Sequence, residues 1–403
     1  MKTVAIIGTF DSKGKEFLYL KDAFEKMGLQ TLTIHAGAFD PYFEPDVSNT
    51  EVTAEAGEDI QSIVKKKDRG LATAALSKGM EIILPKLYKQ GKFDGVISLG
   101  GSGGTSIATP AMQKIPIGVP KIMVSTVAVG NSKQYVGTSD IIMMPSIVDV
   151  AGLNSISMTI FDNAISAMAG MLMMKPEHDV EKKPLIAASM FGVTTPCVDY
   201  ARDYLEKEGY EVLTFHATGV GGKTMEALID AGYFEGVLDI TTTEWCDELV
   251  GGVLAAGPHR LEAAGRKGVP QVVSVGALDM VNYGAFDTVP KEYVTRNLYK
   301  HNPSVTLMRT SVEENQRIGG KIVEKLNAAK GQTALFIPLK GVSMIDAEGQ
   351  PFYGKKEDEM LFQVLKNGVN QDVVEIIELS NHINDQEFAE AMAQKLLDMM
   401  KNK

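Results

Sequence analysis

At 403 residues the chain is too long for one ordinary hydrophobic core and suits two domains. Its hydrophobic share of 44% and charged share of 23% exclude a disordered, fibrous or low-complexity chain. With 40 Lys and Arg against 51 Asp and Glu, the net charge of −11 works against general attraction to nucleic acid or an anionic membrane and leaves room for a local basic pocket.

In chain order, short β-rich apolar runs predict strands at Thr3–Gly8, Thr31–His35, Phe93–Leu99, Lys121–Val124 and Ile141–Met144. Helices are predicted at Lys15–Met27, Gly70–Lys89 and Gly152–Met174, with the acidic, proline-bearing stretch Asp40–Asp59 read as a loop or clamp. The polar segment Lys175–Asp179 reads as a linker between an N-terminal domain at residues 1–180 and a C-terminal domain at residues 181–403. Strands then follow at Leu185–Met190, Glu211–Phe215, Val237–Ile240, Gln271–Val275, Ala334–Pro338 and Val373–Leu379. Their helices are Pro196–Glu208, Thr224–Ala231, Asp247–Ala256, Val312–Ala328, Lys356–Lys366 and Gln386–Met400. Thr195 before Pro196 suits a helix start, and Ser311 with Glu314 makes a capping-box pattern. Strands alternating with helices imply an α/β fold of two Rossmann-like domains with mostly parallel sheets.

The halves repeat each other. Lys2–Ala36 lies on Lys183–Ala217 without a gap, with identities that include Phe10/Phe191, Asp22/Asp203, Gly28/Gly209 and His35/His216. Further on, Phe93-Asp94-Gly95 matches Phe234-Glu235-Gly236, and Gly118-Val119-Pro120 matches Gly268-Val269-Pro270. Duplicated βαβ units with the same local topology are the expectation.

Cys197 and Cys246 form no CxxC pair and have no His beside them, which points to a reducing cytosol rather than a disulfide or zinc framework. The start Met1-Lys2-Thr3 leads into a short apolar run that meets Asp11, so no signal peptide is expected, and the apolar stretch Ala164–Met174 falls short of the roughly 20 residues of a membrane span. A cytoplasmic protein is expected. The methionines around Met168–Met174 suit a core helix or one buried between subunits.

Ligands in parallel sheets gather at the carboxyl ends of strands, so the residues there are the candidates. After the third strand comes Gly100-Gly101-Ser102-Gly103-Gly104-Thr105, suited either to a tight turn or to close approach of a phosphate at a helix start. Ser106 breaks a strict GxGxxG, which weakens a dinucleotide reading. A second cluster, Gly219, Gly221, Gly222 and Lys223, ends in Gly-Lys-Thr, but Ala217 stands where a P-loop needs its first glycine. It reads as a glycine turn with a solvated lysine or as a phosphate loop. Thr9, Asp11, Ser125 and Thr126 also follow strands and join the candidate binding residues, whereas His216 and Glu244 are the acid–base candidates. The histidines form no metal-binding set, and no metal site is expected.

Assembled in order, these segments resemble the Tm-1-like ATP-binding domain family, bacterial relatives of the N-terminal region of a plant tobamovirus-resistance protein. The likeness runs through Asp94–Thr105, Ala108-Thr109-Pro110-Ala111-Met112, Val124-Ser125-Thr126 and Val148–Asn154. It continues through Phe215–Gly219, Gly221-Gly222-Lys223, Asp247–Gly252 and Leu307-Met308-Arg309-Thr310. It implies a two-domain Rossmann-like protein that binds ATP and forms a homodimer; Mg2+ is expected as a companion ion of the ATP, and the acidic charge balance leads us to expect no nucleic-acid or membrane partner. Lys223 stands where the resemblance implies arginine, a point charge in place of a bidentate fork. Three functions stay open: an ATP-binding protein, with or without slow hydrolysis; an enzyme acting on a small organic acid or sugar acid through Glu244 and His216; and a regulatory dimer with nucleotide as a structural ligand.

Overall fold

The computed structural model describes residues 1–174 and 183–401, so the expected linker at Lys175–Asp179 lies outside the described residues. The chain divides into two compact units, Met1–Asp179 and Val180–Lys403.

The first unit runs β1 (Thr3–Gly8), α1 (Gly14–Lys26), β2 (Gln30–His35), α2 (Asn49–Glu55), α3 (Ile60–Lys65) and α4 (Arg69–Lys89). It continues with β3 (Gly95–Gly100), α5 (Ser102–Met112), β4 (Lys121–Ser125), α6 (Lys133–Val136), β5 (Ile142–Pro145) and α7 (Ser155–Met173). The strands form one parallel sheet in the order β2-β1-β3-β4-β5. Strand residues alternate between its faces. Ala5 and Ile7 meet α2–α5 through Val52, Ile63, Leu76 and Ala108, whereas Val4 and Ile6 meet α1 and α7 through Phe17, Phe24, Phe161 and Met168. Burial on both sides explains why β1 reads as an unbroken apolar run.

Among the described residues α7 alone is long and apolar enough to cross a bilayer by length and composition. One side of it packs into the core with Phe161, Ala164, Ile165, Met168 and Leu172, and Asn154 caps its start by accepting from the Ile156 and Ser157 N–H groups.

The second unit runs β6 (Leu185–Met190), α8 (Thr195–Lys207), β7 (Glu211–His216), α9 (Val220–Asp230), β8 (Gly236–Thr241), α10 (Glu244–Val250) and α11 (Ala263–Lys267). There follow β9 (Gln271–Gly276), β10 (Met280–Tyr283), β11 (Leu298–Asn302), β12 (Val305–Arg309) and α12 (Val312–Asn327). The unit ends with β13 (Thr333–Pro338), α13 (Lys355–Gly368), β14 (Val374–Leu379) and α14 (Gln386–Lys401). Its parallel sheet has the order β14-β13-β9-β8-β6-β7, and β10-β12-β11 form a separate antiparallel sheet.

The order β7-β6-β8-β9 repeats β2-β1-β3-β4 in strand direction, so the duplicated sequences fold alike. The capping box forms at α12, where Ser311 Oγ accepts from the Glu314 N–H at 3.2 Å. Several expectations shift. Asp40–Asp59 contains the short helix α2 rather than only loop. α10 starts at Glu244 and stops at Gly251, whose φ of +94° turns the chain out of the helix well before the expected Ala256. The antiparallel sheet was not anticipated, because β11 (Leu-Tyr-Lys-His-Asn) lacks an apolar alternation.

Candidate functional site

In the first unit the loops after β1, β2 and β3 converge on a cleft of about 910 Å³ walled on one side by α4. That size suits a nucleotide-sized ligand. Thr9, Asp11, Gly101, Ser102, Gly103 and Gly104 all line it. Of the other expected residues, Gly100 ends β3, and Ser125 and Thr105 sit buried behind the loop with their hydroxyls joined at 2.7 Å. Thr126 donates its N–H to the Gly100 carbonyl and holds that strand end in place.

Gly100 packs on the Gly104 backbone, where an added Cβ would lie 3.4 Å from the Gly104 Cα, but the next glycines have no such reason to be glycines. None of Gly100, Gly101, Gly103 and Gly104 has a positive φ, and a Cβ added at Gly103 would meet nothing within 4 Å. At Gly101 and Gly104 an added Cβ would make only ordinary contacts of 3.7 and 3.6 Å. The tight-turn reading therefore gives way to open space in front of the loop. Gly101 caps α5 without a side-chain hydrogen bond, which leaves the first N–H groups of an eleven-residue helix facing the cleft end of the loop.

Two further cleft residues, Lys67 and Arg69, escaped the sequence reading. They sit at the α3–α4 junction, and neither side chain has an ion-pair partner among the described residues. Lys67 holds a φ of +53°, a left-handed conformation in which glycine is the usual residue after a helix. The run Lys65-Lys66-Lys67-Asp68-Arg69, basic in an acidic chain, was the available signal. Lys13 is committed elsewhere, donating to the Val150 carbonyl.

Asp11 shapes the far side of the cleft. One carboxylate oxygen accepts from the Phe39 N–H at 3.0 Å, and the other is buried without a protein partner. Gly37 permits this approach, because an added Cβ there would collide with Asp11 Oδ1. His35 completes the support. Its Nδ1 accepts from the Phe10 and Gly37 N–H groups, which leaves Nε2 to donate to the Phe39 carbonyl at 2.9 Å.

The second glycine cluster lies in the other unit and is built differently. Gly219 has a φ of +82°, and an added Cβ would press on the Ala255 carbonyl at 2.8 Å. At Gly221 it would strike the His216 carbonyl, and at Gly222 the Glu244 carboxylate. These glycines serve close packing. Two of their N–H groups are occupied too: Glu244 Oε1 accepts from Gly219 at 2.7 Å and from Gly222 at 3.2 Å. Lys223 is exposed on α9.

Glu244 is only 1% exposed, and its second oxygen accepts from Arg260 Nε at 2.7 Å. Arg260 is also buried and forks onto Asp239 at 2.5 and 2.6 Å, with Glu226 at 3.3 Å. His216 is exposed, with its ring edge-on to Phe191, and no hydrogen bond joins it to Glu244 among the described residues. Although His35 and His216 both end the second strand of their unit, one is a buried clamp and the other a surface ring. Counted from Phe93 and Phe234, which open the matching segments, Gly103 and Glu244 hold the same place in the chain. Where the second unit projects a carboxylate into its own loop, the first leaves the space open.

Titration in the second unit follows burial. Asp247 is pushed up to about 7 because burial outweighs its hydrogen bonds from Asn282 and Leu254. Burial likewise raises Asp279 and Asp358, which share Arg309 with Asp346. Among the described residues no group of three or more His, Cys, Asp or Glu side chains is placed to hold a metal ion.

Residues 2–177 match the family model described as the N-terminal domain of an uncharacterised protein family (UPF0261), and residues 183–400 match its C-terminal domain. The chain is 56% identical over 400 residues to a UPF0261 protein of Clostridium tetani, covering 99% of each. It is 45% identical to a UPF0261 protein of Rhizobium meliloti, covering 97% of each. The ToMV resistance protein Tm-1 of Solanum lycopersicum is 45% identical over 337 residues, which are 82% of this chain and 45% of that protein. The motif resemblance is thus borne out over most of the sequence. Among solved structures, a UDP-GlcNAc 2-epimerase of Methanocaldococcus jannaschii aligns over 91% of this chain and all of that one, at 13% identity and a TM-score of 0.24, too slight to carry an argument.

Proposed function

The chain belongs to the UPF0261 family, and on that footing we propose that it is an ATP-binding protein whose nucleotide site is the cleft of the first unit. The observation that carries this reading is the open glycine loop. Gly101, Gly103 and Gly104 leave room that folding does not require, in front of the uncapped amides of α5. Phosphate oxygens fit that geometry, because successive N–H groups and the helix dipole both favour an anion there. Lys67 and Arg69 on the same cleft supply mobile positive charge. Mg2+, when present, would arrive bound to the phosphates, with Thr9, Ser12 and Ser102 among the oxygen-bearing side chains that line the cleft.

The second unit contributes no matching cradle, since Glu244 already accepts from the Gly219 and Gly222 N–H groups. One nucleotide per chain is the expected stoichiometry. Nothing in the arrangement of Glu244 and His216 favours acid–base chemistry on a small acid, because Glu244 is held by Arg260 in the interior. Calorimetric titration of the full chain with ATP, with and without Mg2+, tests the reading. Saturation near one equivalent supports it, and no heat together with no thermal stabilisation refutes it.

A further inference from the structure

Phe39 is out of place as an ordinary surface residue. The residue is 66% exposed and lines the first unit's cleft, yet its backbone is fixed on both sides. The N–H donates to Asp11, the carbonyl accepts from buried His35, and the neighbouring Gly37 carbonyl accepts from Asn49 Nδ2 at 2.8 Å. A loop held by residues from three separate segments, Asp11, His35 and Asn49, presents a large apolar ring that the chain itself does not cover. The cleft beside it is lined by Ala38, Val64, Ala72 and Leu76, which offer no charge for a phosphate. The cleft thus mixes unlike ingredients: the first amides of α5, the cations Lys67 and Arg69 at the α3–α4 junction with apolar side chains of α3 and α4 around them, and an exposed aromatic ring on an anchored backbone in the loop after β2.

We propose that Phe39 is the stacking platform for the nucleotide's base, so that the cleft selects ligands joining a planar heteroaromatic ring to a phosphate chain. The inference rests on the ATP reading given above and adds what would recognise the base. An aromatic ring stacks on any base through its π-face, and a rigid backbone lowers the ordering cost of doing so. Asp11, itself part of the cleft lining, fixes the platform by accepting from the Phe39 N–H. The platform is thereby specific to this unit. At the corresponding end of β7, His216 and Ala217 lead into the packed glycines around Glu244 instead.

The test uses the full chain, ATP and inorganic tripolyphosphate, each titrated into wild type, Phe39→Ala and Phe39→Trp. Wild type is expected to bind both. Phe39→Ala should lose about tenfold in ATP affinity, the range of one base–aromatic stack, while tripolyphosphate affinity stays unchanged. Phe39→Trp should keep ATP affinity and show indole quenching with ATP but not with tripolyphosphate. Wild-type ATP affinity in Phe39→Ala overturns the platform and leaves the ATP reading standing. Equal losses for ATP and tripolyphosphate in Phe39→Ala also overturn it, since the residue would then only shape the loop. No binding of either ligand by wild type overturns the ATP reading, and the platform with it.

Discussion

Replacing Gly103 by valine separates a folding role from a binding role at the glycine loop. Gly103 is the second residue of α5, its φ is not left-handed, and an added Cβ meets nothing within 4 Å. Valine is a somewhat better helix residue than glycine, by about 0.3 kcal/mol, so the substitution should be neutral or slightly stabilising. Its branched side chain would instead stand in the cleft in front of the Ser102–Gly104 amides. A charge-assisted hydrogen bond contributes about 1.5–3 kcal/mol, so displacing a phosphate from even one amide costs ATP affinity at least tenfold, about 1.4 kcal/mol. Calorimetry gives the affinity, and a circular dichroism melt gives the stability of the same sample. Lys223→Ala, measured in parallel, should leave ATP affinity unchanged, because Lys223 is an exposed side chain of the second unit beside a loop in which Glu244 already takes the Gly219 and Gly222 amides. Unchanged ATP affinity in a normally folded Gly103→Val protein would refute the reasoning. A large drop in melting temperature would refute it differently, by showing that the glycine serves the fold after all.

Arg260→Ala should destabilise the second unit by about 3–5 kcal/mol in urea unfolding, because Asp239, Glu244 and Glu226 lose their shared buried cation; a loss under about 1 kcal/mol would place the cluster with ordinary surface pairs. Asp247→Asn should flatten part of the stability–pH profile. Because burial raises the folded Asp247 to about 7, the folded state holds a proton that the unfolded chain releases near pH 4. Wild type therefore loses stability from this group as pH rises from about 4 to about 7, and levels off above; parallel profiles for wild type and variant would disprove the linkage. We also expect a homodimer formed partly through α7, whose Ile156, Met158 and Met173 remain exposed. Ile156→Lys should shift sedimentation toward a monomer, and a wild-type profile holding only a 43.6 kDa species at micromolar concentration would count against the dimer.

Much of this architecture was legible because it rests on local periodicity. β1 and β6 are short apolar runs, α1 and α8 are amphipathic, and Ser311 with Glu314 announces its helix start chemically. The repeat was equally legible, since Lys2–Ala36 and Lys183–Ala217 keep the same spacing from strand to strand. The segments that escaped, such as α5 with Gly103, Gly104 and Pro110, have weak propensities and gain their form from packing of Ile107, Ala108 and Ala111 against the sheet. The meaning of the glycines lay beyond sequence altogether. Gly101–Gly104 and Gly219–Gly222 read alike as glycine-rich strand ends, but glycine is defined by what it leaves empty, and only neighbours distant in sequence decide whether that space is filled. In the second unit Glu244, held by Arg260, and the Leu254–Ala255 backbone fill it; in the first unit Lys67, Arg69, Asp11 and Phe39 stand around it and leave it open.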